Sequence, residues 1–176
     1  MSNHDVTTLP YRIAVLCYLY DDQDQLLMLH RAKSPNLGMY SPIGGKVEVS
    51  EGESPHDGAV REISEEVKLD IPRDLLHLTG IVSEKAYENE HHWLIFIYEV
   101  MRPIAHDEIV DMTFNEGSLE WVKIDDIEKL DIPETDRKIL WPLVNEHRGG
   151  FFMVHIDCSV EPMQWDVRES HKRISH

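Results

Sequence analysis

Three glutamates on one predicted helix are the residues of this chain that are most clearly suited to chemistry. Glu62, Glu65 and Glu66 stand at positions i, i+3 and i+4, so a helix presents all three carboxylates on one face. Like charges at this spacing repel each other by roughly 0.2 to 0.5 kcal/mol per pair, and the end of a helix favours cations instead. A bound cation would turn this cost into a binding site, whereas E-x-x-E-E taken alone also fits a solvated acidic face.

The helix that carries these glutamates has a clear beginning. Ser54 followed by Pro55 is typical of an N-cap and a first helical residue, and Asp57 takes the third position of a capping box. Apolar residues then recur every four positions, at Ala59, Ile63 and Val67. The pattern predicts a helix from about residue 55 to about residue 67, with an apolar face beside the acidic one.

Ordered glycine, acidic and basic residues surround the acidic face. The stretch GGKVEVSEGESPHDGAVREISEEVKL, which begins at Gly44, resembles the Nudix box of the Nudix hydrolases, G-x5-E-x7-R-E-U-x-E-E-x-G-U with U aliphatic. It departs from that pattern twice, because seven residues instead of five separate Gly45 from Glu53 and Lys68 replaces the last glycine. The first departure lengthens a loop and the second alters how the helix ends. Neither removes a charged group of the motif.

The chemistry that the resemblance implies is hydrolysis of a nucleoside diphosphate linked to another moiety, by attack of water on phosphorus with the help of divalent metal ions. Clustered carboxylates without adjacent His or Cys ligands favour Mg²⁺, with Mn²⁺ as a substitute. By the motif, Glu62 and Glu66 are direct ligands, and Glu65 shares a metal or acts through water. A carbonyl oxygen of Gly45 is the further ligand that the family suggests.

Two more box residues and one loop residue receive catalytic roles from the resemblance. Arg61 is expected to hold Glu53 by a charge-assisted bond, which keeps the loop and the helix in place relative to each other. Glu116, in the segment Asn115-Glu116-Gly117, is similar to the loop glutamate that serves as general base in the branch acting on oxidised guanine nucleotides. Glu65 is the alternative general base.

Substrate contacts are predicted at two places. His30 and Arg31 end a predicted strand where that branch carries basic residues, so either could meet a phosphate, and both also fit the pattern of ordinary surface residues. Asp136 resembles a base-reading residue at the start of the last helix. It equally fits an acidic residue that the helix dipole favours at that end.

The elements that must position these residues follow from hydrophobic periodicity. Strand-like runs and helix-like runs alternate, with a predicted β-hairpin over residues 11–29, strands over 77–83, 93–100 and 119–124, and a second helix over 133–147. We therefore expect an α/β fold, a Nudix-type α/β/α sandwich with a mixed central sheet and two main helices. Residues 1–176 are expected to form a single domain, with residues 1–10 as an N-terminal extension and residues 149–176 as a C-terminal hairpin.

Composition narrows the partners. The 176 residues carry 33 Asp and Glu against 17 Lys and Arg, a formal net charge of −16, so a basic surface for polymeric nucleic acid or a membrane is excluded. Cys17 and Cys158 lie in separate strand-like runs, which is typical of free thiols in a reducing cytosol. We expect a cytoplasmic protein that binds a small nucleotide, and the family resemblance also allows a homodimer.

The leading functional hypothesis is a Mg²⁺-dependent pyrophosphohydrolase of a (deoxy)nucleoside triphosphate, oxidised ones included. ADP-ribose, a nucleotide sugar or a dinucleoside polyphosphate stays open as substrate, because the box encodes the metal site and not the leaving group. The non-enzymatic alternative is a Nudix-like nucleotide-binding sensor module. Such modules commonly lack box glutamates, whereas all four are present here.

Overall fold

The computed structural model describes residues 8–34 and 36–173. Within them lie ten strands: β1 (Tyr11–Tyr18), β2 (Gln25–Arg31), β3 (Tyr40–Ser41), β4 (Ile43–Lys46), β5 (Leu76–Tyr87), β6 (His91–Val100), β7 (Thr113–Phe114), β8 (Gly117–Lys123), β9 (Phe151–Asp157) and β10 (Gln164–His171). The two α-helices are α1 (Pro55–Val67) and α2 (Trp141–Glu146), the latter preceded by a π-helical turn over Asp136–Leu140. Most of the predicted N-terminal extension, residues 1–7, lies outside the described part of the chain.

The strands form two sheets where one mixed sheet was expected. The larger sheet has the order β10-β9-β5-β6-β1-β4 and is mixed, because β6 runs parallel to β1 and antiparallel to β5. The smaller sheet, β3-β2-β8-β7, is antiparallel. The strand predicted over residues 93–100 is β6, which lies in the middle of the larger sheet, as its two apolar faces require.

Of the hairpin predicted over residues 11–29, only the turn and the residues beside it pair with each other. Asp21 donates its backbone N–H to the Gln25 carbonyl at 3.0 Å, and Leu27 donates to the Leu19 carbonyl at 2.9 Å. Beyond this point β1 pairs with β4 and β6, while β2 pairs with β3 and β8. Because both strands are apolar on both faces, each is buried most fully inside a sheet of its own, and the two strands diverge.

Helix α1 covers one face of this β-layer. The Asp57 N–H donates to the Ser54 hydroxyl at 3.1 Å, which confirms the predicted N-cap. The apolar residues of its inner face have no exposed surface and pack with alternate residues of β1 and β2, namely Ala59, Ile63 and Val67 against Val15, Cys17, Leu27 and Leu29. Lys68, at the position of the motif glycine, ends the helix in a left-handed conformation with φ of 60°, at a cost of about 1 kcal/mol.

Helix α2 covers the opposite face. The intervening residues of β1 and β2 pack there with Ile139, Leu140, Trp141 and Val144, so the expected α/β/α sandwich is confirmed. The helix predicted over residues 133–147 is interrupted by the π-helical turn. Pro142 explains the interruption, because it lacks the N–H that a regular α-helix would donate one turn back.

The predicted C-terminal hairpin is present, since β9 and β10 pair antiparallel from Gln164↔Asp157 to His171↔Phe151. Parallel pairing of β9 with β5 attaches this hairpin to the larger sheet. Among the residues that the structure describes, no helix is long and apolar enough to cross a membrane.

Candidate active site

The acidic face of α1 divides into a buried part and an exposed part. Glu62 and Glu66 retain 9% and 6% of their accessible surface, whereas the Glu65 side chain is 60% exposed. The Glu66 carboxylate accepts a hydrogen bond from the Gly44 N–H at 3.1 Å. The two buried carboxylates therefore face the glycine pair of β4, and the third faces solvent.

Arg61 connects the helix with the loop that precedes it. Its guanidinium donates to both carboxylate oxygens of Glu53, and its Nη1 donates to Glu62 at 2.7 Å and to Glu65 at 3.4 Å. Its Nη2 also donates to the Lys46 carbonyl at 3.1 Å. Arg61 lowers the pKa of Glu53, and these carboxylates raise the pKa of Arg61. The structure thus brings together the expected partners Arg61 and Glu53, and it adds Glu62 to the same network.

The glycine pair is needed for close approach of the backbone. A Cβ on Gly45 would lie 2.5 Å from Oε1 of Glu62. Gly44 has φ of 153°, and a Cβ there would lie 2.1 Å from the Val15 carbonyl oxygen. A side chain at Gly44 would meet the backbone of β1, and the lack of one at Gly45 lets the buried Glu62 carboxylate lie directly against the β4 backbone.

Burial leaves the negative charge of this region poorly compensated. Burial raises the pKa of Glu66 to about 8, and the charges of Glu62 and Glu116 act in the same direction. The Gly44 N–H and the charge of Arg31 oppose that shift. Burial also raises the pKa of Glu62, against the lowering effect of Arg61. A cation bound here would remove an unfavourable interaction that the fold itself does not relieve.

Glu116 acts on the buried pair from the other sheet, because its negative charge raises the pKa of both carboxylates. It lies in the turn between β7 and β8, and its carbonyl accepts from the Ala32 N–H at 2.7 Å. The next residue, Gly117, has φ of 154° and lies so close to β2 that a Cβ would be 1.9 Å from the His30 carbonyl oxygen. This close contact brings the end of β2 and the Glu116 turn together beside α1.

The two predicted substrate residues of β2 separate. The positive charge of Arg31 lowers the pKa of Glu66, so Arg31 lies on the α1 side. Its neighbour His30 stacks on Tyr40 at 4.5 Å between ring centroids, and its Nε2 lies 3.1 Å from the Gly38 carbonyl. Adjacent strand residues point to opposite faces, so the two side chains leave β2 in different directions.

Asp136 belongs to a different part of the molecule from the box glutamates. It begins the π-helical turn before α2, and its charge acts on Glu84 and on Tyr18. Sequence reasoning did not single out Glu84, which is 3% exposed. A signal was present, because Glu84 is a charged residue between Val82 and Ala86 at alternate positions of a strand, and both of those neighbours are completely buried.

The donor set near α1 fits a hard divalent cation. In the described residues, no three or more side chains of His, Cys, Asp or Glu converge on one point. Glu62 and Glu66 would therefore supply two carboxylates, and oxygens of the backbone, water or substrate would supply the remaining ligands. Mg²⁺ is characteristically bound in this way, by one or two carboxylates and by water and phosphate oxygens.

Family comparison agrees with this geometry. A model of the NUDIX domain matches residues 10–141. The chain belongs to the Nudix family. With the box glutamates in place, it is a Nudix-type pyrophosphohydrolase, and the family match supports divalent-metal chemistry on small nucleotide substrates.

Solved structures share the Nudix fold at low sequence identity. A MutT protein from Bacillus halodurans is 22% identical, with 89% of this chain and 97% of that chain covered and a TM-score of 0.68. A MutT protein from Methanosarcina mazei Go1 is also 22% identical, with 79% of this chain and 96% of that chain covered and a TM-score of 0.64. The NUDIX domain of Shewanella oneidensis NrtR complexed with ADP ribose is 15% identical, with 83% of this chain and 98% of that chain covered and a TM-score of 0.61.

Proposed function

We propose that this Nudix protein is a Mg²⁺-dependent hydrolase that cleaves a pyrophosphate bond of a (deoxy)nucleoside triphosphate, with Mn²⁺ as a substitute metal. The observation that carries the proposal is the pair of buried carboxylates, Glu62 and Glu66, opposite the glycine pair of β4. Both carboxylates are held out of water, and the only cation that acts on Glu66 among the described residues is Arg31. Burial of this negative charge costs free energy unless a ligand completes the site.

In the proposed mechanism, Glu62 and Glu66 hold the metal, with a backbone carbonyl oxygen of Gly45 as a further ligand. The bound cation would neutralise phosphate oxygens and activate the attacking water. Arg61 keeps the helix and the Glu53 loop in a constant relative position through its two-point contact. Arg31, which acts on the same region, is the proposed phosphate contact. We leave His30 out of that role, because its ring is engaged with Gly38 and Tyr40.

Water attacks phosphorus, the bond from phosphorus to the leaving oxygen breaks, and the proton of the water passes to a carboxylate. We propose Glu116 as the acceptor, because its charge acts on both metal-binding glutamates from the opposite sheet. Glu65 is the alternative acceptor. Its side chain is 60% exposed, and its carboxylate already accepts a hydrogen bond from Arg61 at 3.4 Å.

Other substrates and one other class of protein compete with this proposal. ADP-ribose is the strongest alternative substrate, because the NrtR NUDIX domain that was solved with ADP ribose has the same fold. A nucleotide sugar or a dinucleoside polyphosphate would use the same metal site. A sensor module without catalysis is the non-enzymatic alternative, and the presence of Glu53, Glu62, Glu65 and Glu66 argues against it. The proposal keeps a single cytoplasmic domain over residues 1–176 and a small-molecule partner, which the net charge of −16 supports.

The test is a panel of nucleoside triphosphates, ADP-ribose, nucleotide sugars and dinucleoside polyphosphates, incubated with and without Mg²⁺ and analysed for phosphate products. We expect triphosphates to give a monophosphate and pyrophosphate only when Mg²⁺ is present. Glu66→Gln should lower turnover at least about 100-fold, because it removes a metal ligand. Glu51→Gln, which makes the same change at an exposed loop position, is the matched control. Nucleotide binding without hydrolysis of any panel member would support the sensor alternative.

A further inference from the structure

The loop between β4 and α1 takes up its extra length in a turn that closes on itself. Val49–Glu51 form a 3₁₀ turn, and Gly52 ends it in a left-handed conformation with φ of 68°. The N–H groups of Glu51 and Glu53 donate to the Glu48 carbonyl at 3.1 and 3.3 Å. The residues of the turn are exposed. The lengthening therefore lies in a closed ring whose two ends meet at Glu48.

Glu48 holds both the main chain and the carboxylate of Glu53. Its carbonyl accepts from the Glu53 N–H, and its own N–H donates to Oε2 of Glu53 at 2.9 Å. The Glu53 side chain is 11% exposed and lies against α1, where a Cβ on Gly58 would be 3.1 Å from the same Oε2 atom. The loop and the helix thus restrict this carboxylate from two sides.

Arg61 connects Glu53 with a proposed metal ligand. Its Nε and Nη2 donate to the two Glu53 oxygens at 2.8 and 3.0 Å, and its Nη1 donates to Oε1 of Glu62 at 2.7 Å. A guanidinium is planar and its five donors form a rigid fork. A rotation of the Glu53 carboxylate would therefore also move Nη1 relative to Glu62.

We propose that Glu48 is a positioning residue for the metal site and that it acts through its main-chain N–H. Glu48 holds the Glu53 carboxylate, and that carboxylate orients Arg61. Arg61 in turn fixes the direction of the Glu62 carboxylate. This inference rests on the proposed function and gives the lengthened loop a part in it. The exposed side chains of the 3₁₀ turn have no part in this series of contacts.

Proline at position 48 removes the N–H and preserves the turn. Glu48 has φ of −77° and ψ of 76°, and its φ lies within the range of proline. It is the central residue of an inverse γ-turn, in which the Val49 N–H donates to the Val47 carbonyl at 2.9 Å. Such a turn does not use the N–H of its central residue. Glu48→Pro therefore removes one donor and keeps the Glu48 carbonyl as an acceptor.

Glu48→Ala is the matched comparison, because it keeps the N–H and removes only the side chain. The Glu48 carboxylate is 56% exposed and lies 4.0 Å from Nε of Arg61, so water screens this ion pair. We expect Glu48→Ala to behave as the wild type. The pair of variants separates the main-chain contact from the charge of the side chain.

The experiment measures Mg²⁺ binding without nucleotide by titration calorimetry, and the Mg²⁺ dependence of nucleoside triphosphate turnover. We expect Glu48→Pro to weaken Mg²⁺ binding at least about threefold, as the loss of one hydrogen bond to a charged group would. The Mg²⁺ concentration that gives half-maximal rate should rise by the same factor. The kcat at saturating Mg²⁺ should stay within about twofold of the wild type, because the proposed role ends at the metal ligand.

A double-mutant cycle tests the route through Glu53. Glu53→Ala removes the acceptor of the Glu48 N–H, so Glu48→Pro should not change Mg²⁺ affinity further in that background. Additive effects of the two substitutions would overturn the proposed route, because the proline would then act through the loop backbone alone.

Amide hydrogen exchange gives a test that does not need Glu48→Pro to fold. If the Glu48 N–H contact favours Mg²⁺ binding, Mg²⁺ must favour the contact by the same factor. Saturating Mg²⁺ should therefore slow exchange of the Glu48 amide in the wild type at least about threefold. The Val49 amide, which donates within the γ-turn, should change less.

Failure of the proposed function differs from failure of this inference. A wild type that shows neither Mg²⁺ binding nor Mg²⁺-dependent turnover overturns the proposed function. A wild type that uses Mg²⁺, with unchanged Mg²⁺ dependence in folded Glu48→Pro or unchanged exchange of the Glu48 amide, overturns the role of Glu48 alone. Equal weakening by Glu48→Ala also overturns it, because the effect would then belong to the Glu48 carboxylate.

Discussion

Arg61 contacts Glu53 through two parallel hydrogen bonds, from Nε to Oε1 at 2.8 Å and from Nη2 to Oε2 at 3.0 Å. The two side chains are only 22% and 11% exposed, so water screens the pair weakly. Oε2 of Glu53 also accepts from the Glu48 N–H at 2.9 Å. The lengthened loop is therefore tied to the middle of α1 next to the buried carboxylates.

Arg61→Lys tests this two-point contact. A lysine keeps the charge but cannot make parallel hydrogen bonds, so we expect a loss of about 1 to 3 kcal/mol in the free energy of unfolding and a lower kcat. Urea unfolding and steady-state kinetics measure the two effects. Arg12→Lys, on the exposed start of β1, should change neither. Unaltered stability in Arg61→Lys would mean that the contact does not anchor the loop.

Gly45→Ala tests the close approach of β4 to α1. The added Cβ would lie 2.5 Å from Oε1 of Glu62, so the carboxylate has to move away from the glycine pair. We expect metal-dependent turnover to fall at least about tenfold, because displacement of a ligand weakens a precisely arranged site. Gly52→Ala is the control, since its Cβ meets nothing within 4 Å and its φ of 68° costs only backbone strain. Full activity in Gly45→Ala would argue against a ligand role for Glu62.

Mg²⁺ should stabilise the protein without any substrate. A ligand that binds only the folded state raises the melting temperature, and Glu66→Gln should remove most of that rise. Because the pKa of Glu66 is about 8, protons compete with the metal below that pH, and the Mg²⁺-dependent rise should be larger at pH 8.5 than at pH 6.5. Thermal melting with Mg²⁺ and with EDTA measures both effects. A rise of equal size in Glu66→Gln would show that the ion binds elsewhere.

Glu84 should make stability fall as pH rises. Its pKa is raised from 4.5 to about 8 in the folded state. The stability that the folded state gains by keeping this carboxyl protonated is therefore fully present below pH 4.5 and is lost as the pH rises through about 8. Glu84→Gln should therefore be more stable than the wild type by roughly 1 to 3 kcal/mol at pH 8.5, with a smaller difference at pH 5. Urea unfolding at the two pH values measures the change, and Glu88→Gln should follow the wild type. A difference that does not depend on pH would contradict the raised pKa.

Glu116→Gln and Glu65→Gln distinguish the two candidate bases. If Glu116 accepts the proton of water, its amide variant should lose about 100-fold or more in kcat, a typical contribution of a general base. Metal-induced stabilisation should persist in that variant, because Glu116 is not a proposed ligand. The Glu65 variant should lose much less. The reverse order of effects would assign the base to Glu65.

Local signals in the chain were sufficient for α1 and for its chemistry. Ser54, Pro55 and the four-residue apolar spacing predicted the bounds of the helix correctly, because capping and amphipathicity depend on neighbours within one or two turns. The same spacing marked Glu62, Glu65 and Glu66 as a costly arrangement. The opposite directions of His30 and Arg31 also follow from strand alternation, a rule that was available before the structure.

Contacts between distant segments of the chain determined the pairing of the strands and the burial of the site residues. Which glutamates of α1 are buried depends on the approach of Gly44 and Gly45 from β4, and the pairing of β1 and β2 with different sheets depends on competing strands elsewhere in the chain. The charge of Asp136 acts on Glu84 only because β5 and the turn before α2 lie on the same side of the fold. Spacing along a chain encodes the energies of near neighbours, whereas burial and charge interactions between remote segments arise only after the core has assembled around them.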